Sequence, residues 1–176
     1  MNHEDHKDLI REGIPGPDGI WADLGSGGGA FTLALADLIG PAGRIYSVDK
    51  DAGALHEQER AMRARFPAVT VSYIVSDFTG VLELPPLDGV VMANSLHFVR
   101  QKDAVLQRVR GYLRPGGRLI IVEYNADKGN WWVPYPFSYG TWEALARRNG
   151  FSGTQLLARR PSRFLDEMYA AMSMST

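Results

Sequence analysis

The chain has 176 residues, a formal net charge of -1, and 45% hydrophobic against 22% charged residues. That balance fits one domain around a single core and leaves no electrostatic field to recruit nucleic acid or anionic lipid. It has no cysteine, which excludes disulfides, a cysteine nucleophile and thiolate metal sites and suits a reducing cytoplasm. No metal is expected.

The N-terminus, MNHEDHKDLIREG, lacks the apolar core of a signal peptide, and no apolar run approaches the roughly 18 residues of a membrane span. A soluble, cytoplasmic protein is expected, one domain over 1–176 in which residues 1–16 form a helical lead-in. GIWADLG (19–25) reads as a strand and AFTLALADLIG (30–40) as a helix with Phe31, Leu35 and Leu38 on one face, stopped by Gly40-Pro41. RIYSVD (44–49) is the next strand. DAGALHEQERAMRARF (51–66) carries Leu55, Glu59 and Met62 at helical spacing, with Pro67 past its end.

VTVSYIV (69–75), LDGVVMAN (87–94) and GRLIIVEY (117–124) are short apolar runs rich in β-branched residues and read as strands. QKDAVLQRVRGYL (101–113) is the helix before the last of them, closed by Arg114-Pro115-Gly116-Gly117. Near-continuous apolar strands separated by helices imply a doubly wound α/β domain with a parallel sheet covered on both faces. After a helix around TWEALARRNG (141–150), SGTQLLARR and SRFLDEMYAAM lack a helix-length connector. They are expected to pair as an antiparallel hairpin turning at Pro161-Ser162.

In WADLGSGGGAF (21–31) the first apolar strand ends in a loop with four glycines in five positions. Ligands of open α/β sheets bind beyond the carboxyl ends of the strands, and bare backbone before a helix N-terminus makes such a loop a ligand cradle. Two patterns fit. Gly25-x-Gly27-x-x-Ala30, with Asp49 about 20 residues on, matches the relaxed dinucleotide fingerprint. Asp23-x-Gly25-x-Gly27-x-Gly29 is the rival, an acidic residue followed by alternating glycines.

The second pattern resembles the loop of the class I (Rossmann-like) S-adenosylmethionine (SAM)-dependent methyltransferases of the small UbiE-like, methyltransferase-domain type. The resemblance extends from about Pro17 to Ala171 through GPAGRIYSVDKD, LRPGGRLIIVE and LARRNGF. It implies a seven-stranded, mostly parallel sheet of order 3-2-1-4-5-7-6 with an antiparallel last hairpin, SAM as cofactor and S-adenosylhomocysteine as product. It also implies a cofactor site of Asp23, Gly25, Ser26, Gly27, Gly29, Asp49, Lys50, Asp77, Phe78 and Asn94.

In that site Asp23 answers the cationic methionyl end, Asp49 both ribose hydroxyls and Asp77 the adenine amino group, with Phe78 packing on the base. Asp49 and Asp77 also suit helix N-caps, the structural alternative. A SAM-binding protein without turnover, acting through a partner, and an NAD(P)-dependent oxidoreductase are the competing functions.

Methyl transfer from a sulfonium needs chiefly an acceptor held in line, with a base only where the nucleophile must lose a proton. Asn94 and His97, in MANSLHFV, are the catalytic candidates. The segment departs from the Asn/Asp-Pro-Pro-Tyr/Phe signature of the enzymes that methylate DNA amines and protein amides. Trp131, Trp132 and Tyr135 belong to an aromatic segment, NWWVPYPFSYGTW, that either borders the acceptor pocket or plugs an edge or dimer contact. A small or lipophilic acceptor is expected. No long insertion supplies a lid, which points to a homodimer, and the arginine clusters around Arg60, Arg108 and Arg159 read as solvated faces rather than an RNA site.

Overall fold

A computed structural model describes every residue from Met1 to Thr176. In chain order the helices are α1 (His3–Ile10), α2 (Ala30–Ile39), α3 (Ala52–Arg65), α4 (Asp103–Tyr112) and α5 (Tyr139–Arg148), with single turns of 3-10 helix at Arg11–Gly13 and Leu96–Phe98. The strands are β1 (Ile20–Leu24), β2 (Arg44–Asp49), β3 (Thr70–Val75), β4 (Leu87–Ala93), β5 (Leu113–Tyr124), β6 (Phe151–Pro161) and β7 (Glu167–Ser175). They form one seven-stranded sheet of order 3-2-1-4-5-7-6. All neighbours pair in parallel except β5 with β7 and β7 with β6. The expected topology is present.

Side-chain alternation divides each central strand between two cores. Ala22, Leu24, Val90, Met92, Leu119 and Ile121 face a core with Val105, Leu106, Trp142 and Leu145 of α4 and α5. Trp21, Val91, Ala93, Ile120 and Val122 face the other, with Leu9 and Ile10 of α1, Phe31 and Leu35 of α2 and Met62 of α3. Both faces are therefore covered, which is why these strands read as apolar runs. No helix is long and apolar enough to cross a membrane.

Several local expectations need correction. Helix α2 is not amphipathic about Phe31, Leu35 and Leu38. Residues Phe31 to Ala36 are all buried while Leu38 is only partly so, because α1 packs on the outer side that was expected to meet solvent. On α3 the inward face is Leu55, Gln58 and Met62, and Glu59 instead pairs with Arg63 at 2.6 Å. Strand β5 already begins at Leu113, the last residue of the predicted helix, and runs through the predicted stop signal Arg114–Gly117. The last hairpin does not turn at Pro161-Ser162: Ser162 N–H donates to the Asp166 carbonyl at 2.6 Å and Asp166 is left-handed at φ 46°. That closes a five-residue loop and delays β7 to Glu167.

Candidate functional site

The strand order reverses between β1 and β4, and the loops after them meet at the carboxyl edge of the sheet, where open α/β folds take ligands. Gly25, Gly27 and Gly29 adopt φ of 78°, 51° and 86°, so the alternating spacing marks every residue of the loop that needs the left-handed region. A Cβ on Gly25 would lie 2.5 Å from Ser95 Cβ, and one on Gly29 2.2 Å from Gln58 Cγ. Gly27 and Gly28 have open space outside them.

The loop is bound to β2. The Gly25 and Ser26 N–H groups donate to Val48 O at 2.8 and 3.1 Å, and Gly27 N–H donates to Asp49 Oδ2 at 2.7 Å. Asp49 Oδ1 accepts from Asp51 N–H at 2.9 Å, so each oxygen retains acceptor capacity. The cap of α3 is Asp51, whose side chain accepts from Gly53 and Ala54, and no helix follows Asp77 before β4. The N-cap alternative fails at both positions.

Asp23, the penultimate residue of β1, is buried on the α2 side, with Oδ2 accepting from the Thr32 hydroxyl at 2.6 Å. Burial pushes its carboxyl up to about 7, against the opposing pull of the Thr32 hydrogen bond. At Asp77 the N–H and hydroxyl of Thr79 both donate to Oδ1, at 2.9 and 2.7 Å. These bonds hold its carboxyl below the ordinary range.

Two adjoining hollows border the loop. One, of about 470 Å³, lies beyond β2, β3 and β4 and is walled by Asp49, Lys50, Asp77, Phe78 and Asn94 with Gly25 and Gly27. The other, of about 580 Å³, shares Gly25, Gly27 and Asn94 and is walled also by Asp23, Ser26, Gly28 and by His3 and His6 of α1. Asn94 stands between them in the left-handed region, φ 53°, with N–H donated to Val122 O at 2.8 Å and Oδ1 buried without a partner. Two expected residues differ in detail. Ser26 turns its hydroxyl inward to Ser47, 2.7 Å away, and offers the cleft only main chain; Gly29 packs on Gln58 and borders neither hollow, its place on the wall being taken by Gly28.

His97 borders neither hollow. It is buried, its ring against Phe98 and Tyr124, and its Nδ1 lies 2.7 Å from Oε2 of the fully buried Glu123. Glu123 Oε1 accepts the N–H groups of Leu96 and His97 at 2.9 and 3.2 Å. The acceptor-only carboxylate assigns the imidazole proton to Nδ1. Nε2 has no hydrogen bond within the chain.

The aromatic segment divides. Phe137 and Trp142 are core, whereas Trp131, Trp132 and Tyr135 are 90%, 69% and 40% exposed and border neither hollow. The buried Lys102 donates to Val99 O at 2.7 Å and Tyr135 O at 2.9 Å, pinning this segment beside the turn that follows β4. Sequence reasoning missed Glu123, Gln58 and Lys102. Their signals were a charge inside the apolar GRLIIVEY and a polar residue in register with Leu55 and Met62; Lys102 had none.

Fold and cleft together define a Rossmann-like protein with an open site at the switch point of its sheet. The sequence profile of a family described as "Methyltransferase domain" matches residues 22–119, more than half of the chain. The chain is 28% identical over 167 residues to an arsenite methyltransferase of Aquipseudomonas alcaligenes, covering 84% of this chain and 48% of that one. It is 30% identical over 105 residues to the ubiquinone/menaquinone biosynthesis C-methyltransferase UbiE of Pasteurella multocida, covering 58% and 39%. A solved SAM-dependent methyltransferase from Methanosarcina mazei superposes with a TM-score of 0.74 at 15% identity over 94% of this chain and 96% of that chain. The chain spans about half or less of the length of these two curated relatives.

The chain belongs to the methyltransferase-domain family, the class I SAM-dependent methyltransferases, and SAM is the family's cofactor. The residues present fit that cofactor. Carboxylates at three strand ends and an orphaned amide oxygen in one pair of hollows suit the hydroxyls, amino groups and cationic centre of SAM, whereas a pyrophosphate asks for N–H donors instead.

Proposed function

We propose that the protein transfers the methyl group of SAM to a small or lipophilic acceptor, the favoured class being a carbon nucleophile that must lose a proton. The observation that carries the cofactor half is the convergence of Asp49, Asp77 and Asn94, from the carboxyl-end regions of β2, β3 and β4, on one cleft. In this reading Asp49 accepts the ribose hydroxyls, Asp77 the adenine amino group, Phe78 packs on the base, and Lys50 covers the outer rim. Asp23 and Asn94 Oδ1 face the ammonium end, beside the bare backbone of the glycine loop. Bound SAM supplies a methyl group on a sulfonium, and the chain's task is to hold the acceptor in line with it.

The acceptor half rests on the His97–Glu123 pair. Glu123 fixes the tautomer and leaves Nε2 as the basic nitrogen, the arrangement of an oriented general base. An amine or a thiolate needs no such base, whereas a carbon acid or an enol does. The UbiE relative, by its name, methylates carbon. The exposed Trp131, Trp132 and Tyr135, pinned through Lys102 near His97, supply a platform for a flat or greasy acceptor.

The test is labelled-methyl transfer from SAM across a panel of phenolic, β-dicarbonyl, amine and thiol acceptors, with His97→Ala and Glu123→Gln alongside wild type. Transfer to carbon that His97→Ala abolishes, with S-adenosylhomocysteine affinity intact, supports the reading. Transfer to an amine or thiol that survives His97→Ala removes the base and the carbon acceptor together.

A further inference from the structure

Gln58 of α3 is fully buried and reaches under the glycine loop. Its Nε2 donates to Gly27 O at 3.1 Å and Ser26 Oγ at 3.2 Å. The hydroxyl of Ser47, also fully buried, lies 2.6 Å from Gln58 Oε1 and 2.7 Å from the Ser26 hydroxyl. Ser47 has one proton and Oε1 has none, so Ser47 donates to Gln58 and Ser26 supplies the proton of the hydroxyl pair. Every donor and acceptor of this ring is used, which makes it a rigid support rather than a solvated contact.

In a trans peptide the carbonyl and the following N–H point in opposite directions. Gln58 draws the Gly27 carbonyl inward, and the Gly28 N–H is therefore turned outward. That N–H forms no hydrogen bond, Gly28 has open space on its outer side, and it borders the hollow that also holds Asp23 and Asn94. Gly27 N–H is meanwhile held by Asp49, so the two peptide units flanking Gly27 are fixed at opposite ends by two different elements. Gly29 N–H is donated to Ser26 O at 2.9 Å, so of the three N–H groups from Gly27 to Gly29 that of Gly28 alone is free for a ligand.

We propose that Gln58 is a positioning residue that aims the Gly28 N–H at the carboxylate of an amino-acid-bearing ligand, here the methionyl end of SAM; the inference rests on the cofactor placement above. Gln58 holds the cleft wall from behind and borders neither hollow itself. Its loss is felt only by ligands that carry the carboxylate, and adenosine, which occupies the other hollow alone, is the control.

The experiment is calorimetric titration of wild type, Gln58→Leu and Gln58→Glu with S-adenosylhomocysteine and with adenosine, with the Gly28 amide followed by NMR on labelled protein. The expected result is a loss of ~10-fold or more in S-adenosylhomocysteine affinity in both variants, with adenosine affinity changed less than ~2-fold. The Gly28 amide shift seen on binding to wild type should also be lost. Equal losses for both ligands make Gln58 a general packing residue and overturn the proposal, as does wild-type affinity in Gln58→Leu. A wild-type protein that binds neither ligand overturns the cofactor placement and this proposal with it.

Discussion

Asp49 Oδ2 accepts the Gly27 N–H at 2.7 Å, so the carboxylate proposed to hold the ribose also sets the shape of the loop that borders it. Asp49→Ala removes that tie together with two hydrogen bonds to the ligand. SAM affinity should fall by about 1–3 kcal/mol in a calorimetric titration. Unchanged affinity would exclude the ribose role.

Asp23 links function to stability with opposite signs. Its folded carboxyl titrates near 7 because of burial, against an ordinary 3.8, so between those values the folded chain keeps a proton that the unfolded chain has released. Stability contributed by this group is therefore full below about pH 4 and lost as pH rises to about 7. Asp23→Asn, neutral throughout, should flatten that part of the pH profile and raise stability at pH 8 by on the order of 1–3 kcal/mol in denaturant melts. The same variant should bind SAM more weakly. A variant less stable than wild type at pH 8 would contradict the buried-charge account.

Glu123 satisfies two backbone N–H groups and the His97 ring from a fully buried position. Glu123→Ala leaves all three without a partner and should destabilise the fold by about 3 kcal/mol or more. Glu123→Gln can still accept at one oxygen and should lose less, while losing its hold on the imidazole. The comparison of the two melts separates the structural duty of Glu123 from its effect on His97.

Of the four tryptophans, Trp21 and Trp142 are buried and Trp131 and Trp132 are exposed. Acrylamide should therefore quench one population freely and leave another protected at low protein concentration. If a homodimer covers this edge, the accessible fraction should shrink as concentration rises, in step with sedimentation. Quenching that does not depend on concentration, with a monomer by sedimentation, would leave the aromatic edge free for an acceptor and withdraw the dimer.

The parts of this fold legible in the sequence are those governed by short-range rules. Runs such as RIYSVD carry their own β preference and burial, and the spacing of Gly25, Gly27 and Gly29 states a backbone requirement directly. Misreadings arose where a distant element decides. Leu38 does pack on the core, but its partial burial beside the buried Leu33 and Ala34 depends on α1 lying over α2, which spacing within α2 does not state. The role of Gln58 lies outside short-range rules because its partners, Ser26, Ser47 and Gly27, lie in the loop after β1 and on β2. His97 was found by position, but its environment depends on Glu123, 26 residues away on β5. Trp131 and Trp132 remained ambiguous because aromatic content does not tell a core from a platform.

The central claim is the ligand of the glycine loop, and parallel calorimetric titration with SAM, S-adenosylhomocysteine and NADH tests it most directly. Micromolar binding of the first two with no heat from NADH is the predicted result. Binding of NADH alone would mean that the loop serves a dinucleotide, and the roles proposed for Asp23, Asp49 and Asp77 toward SAM would fall.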